Sequence, residues 1–132
     1  MKTAVQARKL PVLVIEDEPA VMAFICAALK RHGYVVSQAR SGREGLEMLS
    51  GNQYLGIVSD MRTPGGVSGL DVHQWVLANR PELSTRILFT TGDTANEETA
   101  TILKTTGVPY IEKPFRVRNL IGMVESVIGR AE

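Results

Sequence analysis

The chain has 132 residues, of which 44% are hydrophobic and 22% are charged, a balance typical of a globular protein with one core. Fifteen basic and fourteen acidic side chains give a formal net charge of +1, and the Lys and Arg residues form no run of five or more, so we expect no direct contact with nucleic acid. No apolar stretch approaches the ~20 residues of a membrane span, so we expect no membrane contact. The single cysteine, Cys26, excludes an internal disulfide and suits a reducing, cytoplasmic compartment.

Strand-like and helix-like segments begin to alternate near residue 11. A first strand is predicted over residues 11–16. The helix that follows starts near Pro19, which suits a first helical turn, and stops at Gly33. A second strand covers residues 34–39, and Ser41-Gly42-Arg43-Glu44 is typical of a capping box that opens the second helix.

The second half of the chain continues the alternation. The remaining strands are predicted over residues 54–59, 86–90 and 110–112, and the last helix over 117–128. A glycine-rich loop over residues 64–69 precedes the third helix, which ends before Pro81. Thr94-Ala95-Asn96-Glu97 offers a second capping box, so the fourth helix is expected to follow Thr94 and to end near Gly107.

Five strand–helix alternations predict an α/β fold with a parallel sheet covered on both faces. The first and third strands are continuous apolar runs, which is typical of interior strands. Right-handed crossovers then give a doubly wound (βα)5, flavodoxin-like sandwich with a five-stranded parallel sheet of order 2-1-3-4-5. We expect one such domain over residues 10–130, after a flexible lead-in of residues 1–9.

Four of the predicted strands run into polar residues of different chemical types. Glu16 ends the first strand and Asp17 follows it, while Asp60 follows the third strand, Thr91 the fourth and Lys113 the fifth. The carboxyl ends of parallel strands converge on one crevice, where open α/β sheets bind ligands. The crevice would hold an acidic pair, a lone aspartate, a hydroxyl and an ammonium. These groups suit a carboxylate that accepts a phosphoryl group beside a divalent cation.

Each of these residues also has an ordinary explanation when taken alone. The acidic turn Glu16-Asp17-Glu18-Pro19 could simply favour the dipole of the helix that follows. Asp60 and Thr91 could be turn residues, and Lys113 a solvated lysine. Their joint occurrence at successive strand ends favours a site. There, Glu16, Asp17 and Asp60 are candidate ligands of Mg²⁺ or Mn²⁺, which prefer oxygen donors.

The expected catalytic roles follow from the chemistry of the groups. Asp60 would attack phosphorus as a carboxylate nucleophile and form an acyl phosphate. Lys113 would pair with a phosphoryl oxygen as a compact charge. Thr91 would donate its hydroxyl to another of these oxygens, which needs a small inward movement of its backbone and so links chemistry to conformation.

The chain resembles the receiver domain of the two-component response-regulator family from Leu10 to Ile128. The matching motifs are Val14-Ile15-Glu16-Asp17-Glu18-Pro19, Asp60-Met61-Arg62-Thr63-Pro64-Gly65, Phe89-Thr90-Thr91-Gly92 and Lys113-Pro114-Phe115. The resemblance implies that Asp17, Asp60 and the backbone carbonyl of Arg62 bind the metal directly, and that Glu16 acts through water. It also implies that Tyr110 swings between exposed and buried states, and that the Lys113–Pro114 bond is cis.

Within the family, the segments 91–94 and 106–115 resemble receivers at the C-terminus of hybrid sensor histidine kinases, and a stand-alone single-domain regulator is the alternative. This chain itself has no kinase motifs and no DNA-binding output domain. The implied partner is a phosphohistidine on a sensor histidine kinase or a histidine phosphotransfer domain, and phosphorylation could drive homodimer formation. As an enzyme, the domain would only phosphorylate and dephosphorylate itself.

Two other functions are alternatives to that of a receiver. A small phospho-aspartyl phosphohydrolase would need an acid two residues after its nucleophile, where this chain has Arg62. An interaction module that is never phosphorylated would be expected to lack Asp60 or Lys113. Finally, Arg62 and Asp93 are expected to flank the mouth of the site, where an exposed ion pair between them would control water access to phosphorus. The alternative is that they are two solvated loop charges.

Overall fold

The computed structural model describes residues 9–62 and 66–131. Its strands are β1 (Val12–Ile15), β2 (Val36–Ala39), β3 (Gly56–Asp60), β4 (Ile87–Thr91) and β5 (Tyr110–Glu112). Its helices are α1 (Pro19–Arg31), α2 (Gly42–Gly51), α3 (Gly69–Asn79), α4 (Glu97–Thr106) and α5 (Val117–Val127), with a short 3₁₀ turn at Pro81–Leu83. The predicted lead-in falls largely on residues 1–8 and part of the predicted glycine-rich loop on residues 63–65, all outside the described residues.

All strands pair in parallel in the order β2-β1-β3-β4-β5, which confirms the predicted fold and strand order. Every residue of β1 and β3 is buried, as expected for interior strands. The edge strand β5 is short and half-exposed. The best-buried strands therefore lead directly to Glu16 and Asp60.

The core consists of two apolar clusters, one on each face of the sheet. Alternate side chains of a strand point to opposite faces, so Val14 packs toward α1 and α5 while Ile15 packs toward α2 and α3. In the same way Leu88 of β4 lies on the α1–α5 face and Phe89 on the opposite face. Burial of these runs is the main stabilising contribution to the fold.

The helix N-termini agree only in part with their predictions. Ser41 caps α2 as expected, and its hydroxyl accepts the Glu44 N–H at 3.1 Å. The capping box predicted at Thr94 is wrong, because α4 begins two residues later and Asn96 accepts the Thr99 N–H at 3.0 Å. The Thr94 hydroxyl instead donates to Glu112 of β5 at 2.8 Å.

Cys26 lies on α1 and is 3% exposed. Its sulfur lies 3.6 Å from the Met22 sulfur and accepts a hydrogen bond from the Gln38 amide at 3.4 Å. Burial raises the pKa of this thiol. Within the described part of the chain, no helix has the length and apolar character needed to cross a membrane.

Candidate functional site: a carboxylate cluster bridged by a lysine

Two buried carboxylates lie at the carboxyl end of the sheet. Glu16 follows β1 and Asp60 ends β3, and their exposed fractions are 1% and 8%. Because β1 and β3 are neighbours, their ends bring the two side chains together with the exposed Asp17. One carboxylate oxygen from each of the three residues lies within 4.8 Å of the others. The fold therefore assembles the acidic cluster at the predicted place.

Lys113 connects the two buried carboxylates. Its ammonium donates to Glu16 Oε1 at 3.0 Å and to Asp60 Oδ2 at 3.2 Å. The lysine follows β5, and its backbone N–H donates to the Thr91 carbonyl at 2.7 Å, which extends the ladder by one residue. The Lys113–Pro114 peptide bond is cis, as predicted.

The remaining carboxylate oxygens accept backbone N–H groups. Glu16 Oε2 accepts the Glu18 N–H at 3.0 Å, and Asp60 Oδ1 accepts the Arg62 N–H at 3.2 Å. Each carboxylate thus has one main-chain donor and a share of the Lys113 ammonium. Such bonds to charged acceptors are stronger than neutral hydrogen bonds and fix the direction in which each oxygen points.

Burial governs the proton affinities of the cluster. It raises the pKa of Glu16 above the ordinary value, against the opposing effects of the Glu18 N–H and Lys113. It raises the pKa of Asp60 as well, and Lys113 opposes this shift. Burial alone would lower the pKa of Lys113, but its bonds to Glu16 and Asp60 outweigh that effect and raise it. The arrangement thus retains two carboxylates whose ionised forms are disfavoured by desolvation.

The donor set fits a hard divalent cation. Opposite ligands of octahedral Mg²⁺ lie about 4.2 Å apart, close to the 4.8 Å that encloses the three carboxylate oxygens. Small side-chain movements would close that difference. A cation of charge +2 would also offset the desolvation and mutual repulsion of Glu16 and Asp60. The exposed Asp17 provides the open side through which an ion could enter.

Residues 12–125 match the family described as the response regulator receiver domain. The chain belongs to this family. Receiver domains are parts of two-component signalling systems, and their phosphodonors are histidine kinases. The resemblance drawn from the four strand-end motifs is confirmed.

Sequence relatives of this receiver domain include the transcriptional regulatory protein TcrA of Mycobacterium tuberculosis, 28% identical over 119 residues, which cover 90% of this chain and 46% of the relative. Response regulator MprA of Mycobacterium ulcerans is also 28% identical, over 92% of this chain and 51% of the relative. The chain thus spans about half the length of these relatives.

Similar folds occur in solved receiver structures. A response regulator receiver protein from Pseudomonas putida has a TM-score of 0.78 and 27% identity, and covers 92% of this chain and 99% of its own. The receiver domain of a signal transduction histidine kinase from Syntrophus aciditrophicus has a TM-score of 0.80 and 24% identity, and covers 90% and 89%. The second likeness shows the fold alone.

Thr91 is buried at the end of β4, on the strand next to Asp60 in this receiver domain. Its hydroxyl accepts the Asp93 N–H at 3.3 Å. This long bond is weak, so the hydroxyl can turn toward another acceptor at little loss. The Thr91 carbonyl also accepts the Lys113 N–H, so a main-chain hydrogen bond links two predicted site residues.

Tyr110 begins β5 and is 44% exposed. Two residues on, Glu112 pairs in register with Thr91 and accepts the Thr94 hydroxyl. The Thr94–Glu112 bond ties the loop before α4 to β5. The edge of the receiver domain that carries Tyr110 is therefore connected to Thr91 by strand pairing and to the loop before α4 by one side-chain hydrogen bond.

The predicted ion pair between Arg62 and Asp93 is wrong for this structure. Both residues are exposed, and the salt bridges found in the described residues join Arg80 to Glu82 and Lys113 to Glu16 and Asp60. The Asp93 carboxylate instead accepts the Asn96 N–H at 3.1 Å. Spacing from the strand ends could not reveal this, because the turn before α4 captures the carboxylate locally.

An apolar cleft of about 530 Å³ lies beside Lys113. It is lined by Ala20, Val21, Phe24, Gly92, Lys113, Pro114 and Phe115. The rings of Phe24 and Phe115 lie 5.8 Å apart and are tilted by 56°. Helical spacing places Phe24 on the buried side of α1, yet it is 40% exposed, and the sequence pattern carried no sign of this cleft.

Proposed function

We propose that this receiver domain accepts a phosphoryl group on the Asp60 carboxylate. The donor would be a phosphohistidine of a sensor histidine kinase or of a histidine phosphotransfer domain. The observation that carries the proposal is the position of Asp60, which ends a buried strand 3.2 Å from the Lys113 ammonium and beside two further carboxylates. Such a group is a carboxylate nucleophile held in place next to a fixed positive charge.

In the proposed reaction, an Asp60 oxygen attacks phosphorus while the P–N bond to the donor imidazole breaks. The imidazole leaves with the bonding electrons, and an acyl phosphate remains on Asp60. The Lys113 ammonium moves from Asp60 Oδ2 to a phosphoryl oxygen and offsets its charge. Thr91 turns its hydroxyl from the Asp93 N–H to a second phosphoryl oxygen.

Mg²⁺, or Mn²⁺, would neutralise charge on the transferring group. Asp17, Asp60 and the backbone carbonyl of Arg62 are the proposed direct ligands, and Glu16 the residue that acts through water. Glu16 is already held by Lys113 and by the Glu18 N–H, which suits such an indirect role. Arg62 and Asp93 are both exposed, and we propose that they flank the mouth of the site and act there on water access without pairing with each other.

We further propose that phosphorylation is signalled along the edge formed by α4, β5 and α5. When Thr91 moves toward the phosphoryl group, its backbone bond to Lys113 and the Thr94–Glu112 tie transmit the shift to β5. Tyr110 would then change from exposed to buried. A surface altered in this way could bind a partner or a second copy of the domain.

Two settings for the domain are open. The segments 91–94 and 106–115 favour the receiver of a cytoplasmic hybrid histidine kinase. A stand-alone single-domain response regulator is the other setting, and the longer relatives TcrA and MprA are named as regulators. The phosphorylation chemistry proposed for Asp60 is the same in both.

The test is intact-mass measurement after incubation with acetyl phosphate and Mg²⁺. We expect the mass to increase by one phosphoryl group. No increase is expected when the metal is chelated before the incubation, or in Asp60→Asn. Asp93→Asn, which alters an exposed carboxylate near the same crevice, serves as the matched control and should still gain the group. A gain that survives Asp60→Asn would refute the proposal.

A further inference from the structure

The hydroxyl of Thr90 is buried and has no hydrogen-bond partner. Thr90 is fully buried in β4, and its Oγ1 is the one buried side-chain nitrogen or oxygen in residues 9–62 and 66–131 without a partner. Leaving a hydroxyl unpaired in a core is unfavourable. Valine has the same shape and would avoid this penalty, so the presence of threonine calls for an explanation.

Thr90 lies directly beside the phosphoacceptor proposed above. It pairs in register with Asp60 of β3, and its carbonyl accepts the Met61 N–H at 2.9 Å. Val58 and Leu88, two residues earlier in the two strands, both face α1 and α5. By alternation along each strand, Asp60 and Thr90 leave the sheet on that same face.

The hydroxyl can reach Asp60 without movement of the backbone. Neighbouring strands of a sheet lie about 4.8 Å apart, so paired residues on one face have Cβ atoms about 5 Å apart. Rotation about χ1 of a threonine exchanges its methyl and hydroxyl groups between staggered positions and leaves the occupied volume nearly unchanged. Each Asp60 oxygen now has one donor, Arg62 N–H or Lys113, and each can accept a second.

We propose that Thr90 is a positioning residue for Asp60. Its hydroxyl turns to donate to an Asp60 side-chain oxygen when the Lys113 ammonium leaves Asp60 for the phosphoryl group. The replacement bond holds the side chain in one orientation while the P–O bond forms. This inference rests on the proposed function, since it concerns the same phosphoryl transfer to Asp60.

The test compares Thr90→Val, which removes only the hydroxyl, with Thr90→Ser, which keeps it. Phosphorylation rates with acetyl phosphate and saturating Mg²⁺ are followed by intact mass, and melting temperatures are measured alongside. Thr90→Val should be phosphorylated about fivefold more slowly, the factor that corresponds to the loss of one hydrogen bond of ~1 kcal/mol. Its melting temperature should be equal or higher. Thr90→Ser should restore the rate to within about twofold of wild type.

Thr99→Val is the control, because it alters another buried threonine, on α4, and should leave the rate unchanged. A wild-type rate in Thr90→Val would overturn the inference and leave Thr90 as a tolerated core hydroxyl. Equal slowing in Thr90→Val and Thr90→Ser would also overturn it, since the methyl packing would then be responsible. If wild type itself gained no phosphoryl group, the proposed function would fail and this inference with it.

Discussion

The two ends of the sheet differ in what they bury: the amino end is closely packed around neutral groups, and the carboxyl end holds charged side chains. At the amino end, Gly56 packs so closely that an added Cβ would lie 2.5 Å from Ile128 and 2.9 Å from the Arg86 carbonyl. The Tyr34 hydroxyl there donates to the Gly129 carbonyl at 2.6 Å. At the carboxyl end, Glu16 and Asp60 are buried as a charged cluster around one lysine. Close packing and neutral bonds at one end allow the other to hold groups that oppose folding.

The largest expected effect is at the amino end. Gly56→Ala should lower the free energy of unfolding by about 3 kcal/mol, because the methyl meets both a buried side chain and a backbone carbonyl. Urea denaturation measures this change. Gly51→Ala is the matched control, since an added Cβ there meets nothing within 4 Å, and it should be neutral or slightly stabilising. Equal losses in the two variants would contradict the contrast between the ends.

Removing the cation from the carboxyl end should have the next largest effect. Lys113→Met leaves two buried carboxylates without their shared partner and should lower stability at pH 7.5 by about 2 kcal/mol, less than for a fully buried pair because the lysine side chain is 20% exposed. The loss should shrink as the carboxylates become protonated in acid. Urea denaturation at pH 5 and pH 7.5 tests this, with the exposed Lys104→Met as control. A loss independent of pH would indicate packing instead of charge.

Asp60→Asn should stabilise the protein by roughly 1 kcal/mol at pH 7.5, because it replaces a carboxylate whose charged form is disfavoured by burial. Such gains are common when a functional residue is replaced. Burial raises the pKa of Asp60 from its ordinary 3.8, so the folded state binds this proton more tightly than the unfolded state. The tighter binding of this proton therefore stabilises the folded state below about pH 4, and this stabilisation is lost as the pH rises through the folded-state pKa of Asp60. The gain from Asp60→Asn should accordingly fade toward pH 4. Thermal melts across this range would show whether it does.

The smallest expected effect is at the exposed edge. Thr94→Val removes the hydroxyl that donates to Glu112 and should lower stability by no more than ~0.5 kcal/mol, because the bond is solvent-exposed. NMR shifts of the Tyr110 and Glu112 amides should nevertheless change. Thr94→Ser, which retains the donor, should preserve them. Unchanged shifts in Thr94→Val would mean that this bond does not hold β5.

The fold and the acidic cluster could be predicted from the sequence, because apolar runs that end in polar residues indicate both where the strands lie and where they end. Hydrophobic alternation could not show which of two competing acceptors a polar loop residue uses. The capping-box pattern predicts that Thr94 caps α4, but its hydroxyl donates to Glu112. The spacing from the strand ends predicts a pair between Asp93 and Arg62, but the Asp93 carboxylate accepts the Asn96 N–H.

Contacts between residues that are far apart in the sequence are harder still to predict. The bond between Glu16 and Lys113 spans 97 residues, and only the assembled sheet reveals that one ammonium serves two carboxylates. Thr90 carried no signal, because a threonine that ends an apolar run looks like an ordinary strand residue. Its unpaired hydroxyl is visible only once the register with β3 is known.

The buried Cys26 makes local opening of α1 measurable by thiol labelling. It is the chain's single thiol, and α1, which carries it, starts two residues after Asp17. A thiol reagent can reach a sulfur that is 3% exposed only when α1 opens locally. The rate at which Cys26 is labelled in the wild-type protein therefore measures how often α1 opens locally. Any ligand or modification at the carboxylate cluster that stiffens or loosens α1 would change this rate, with no dye or tag needed elsewhere in the chain.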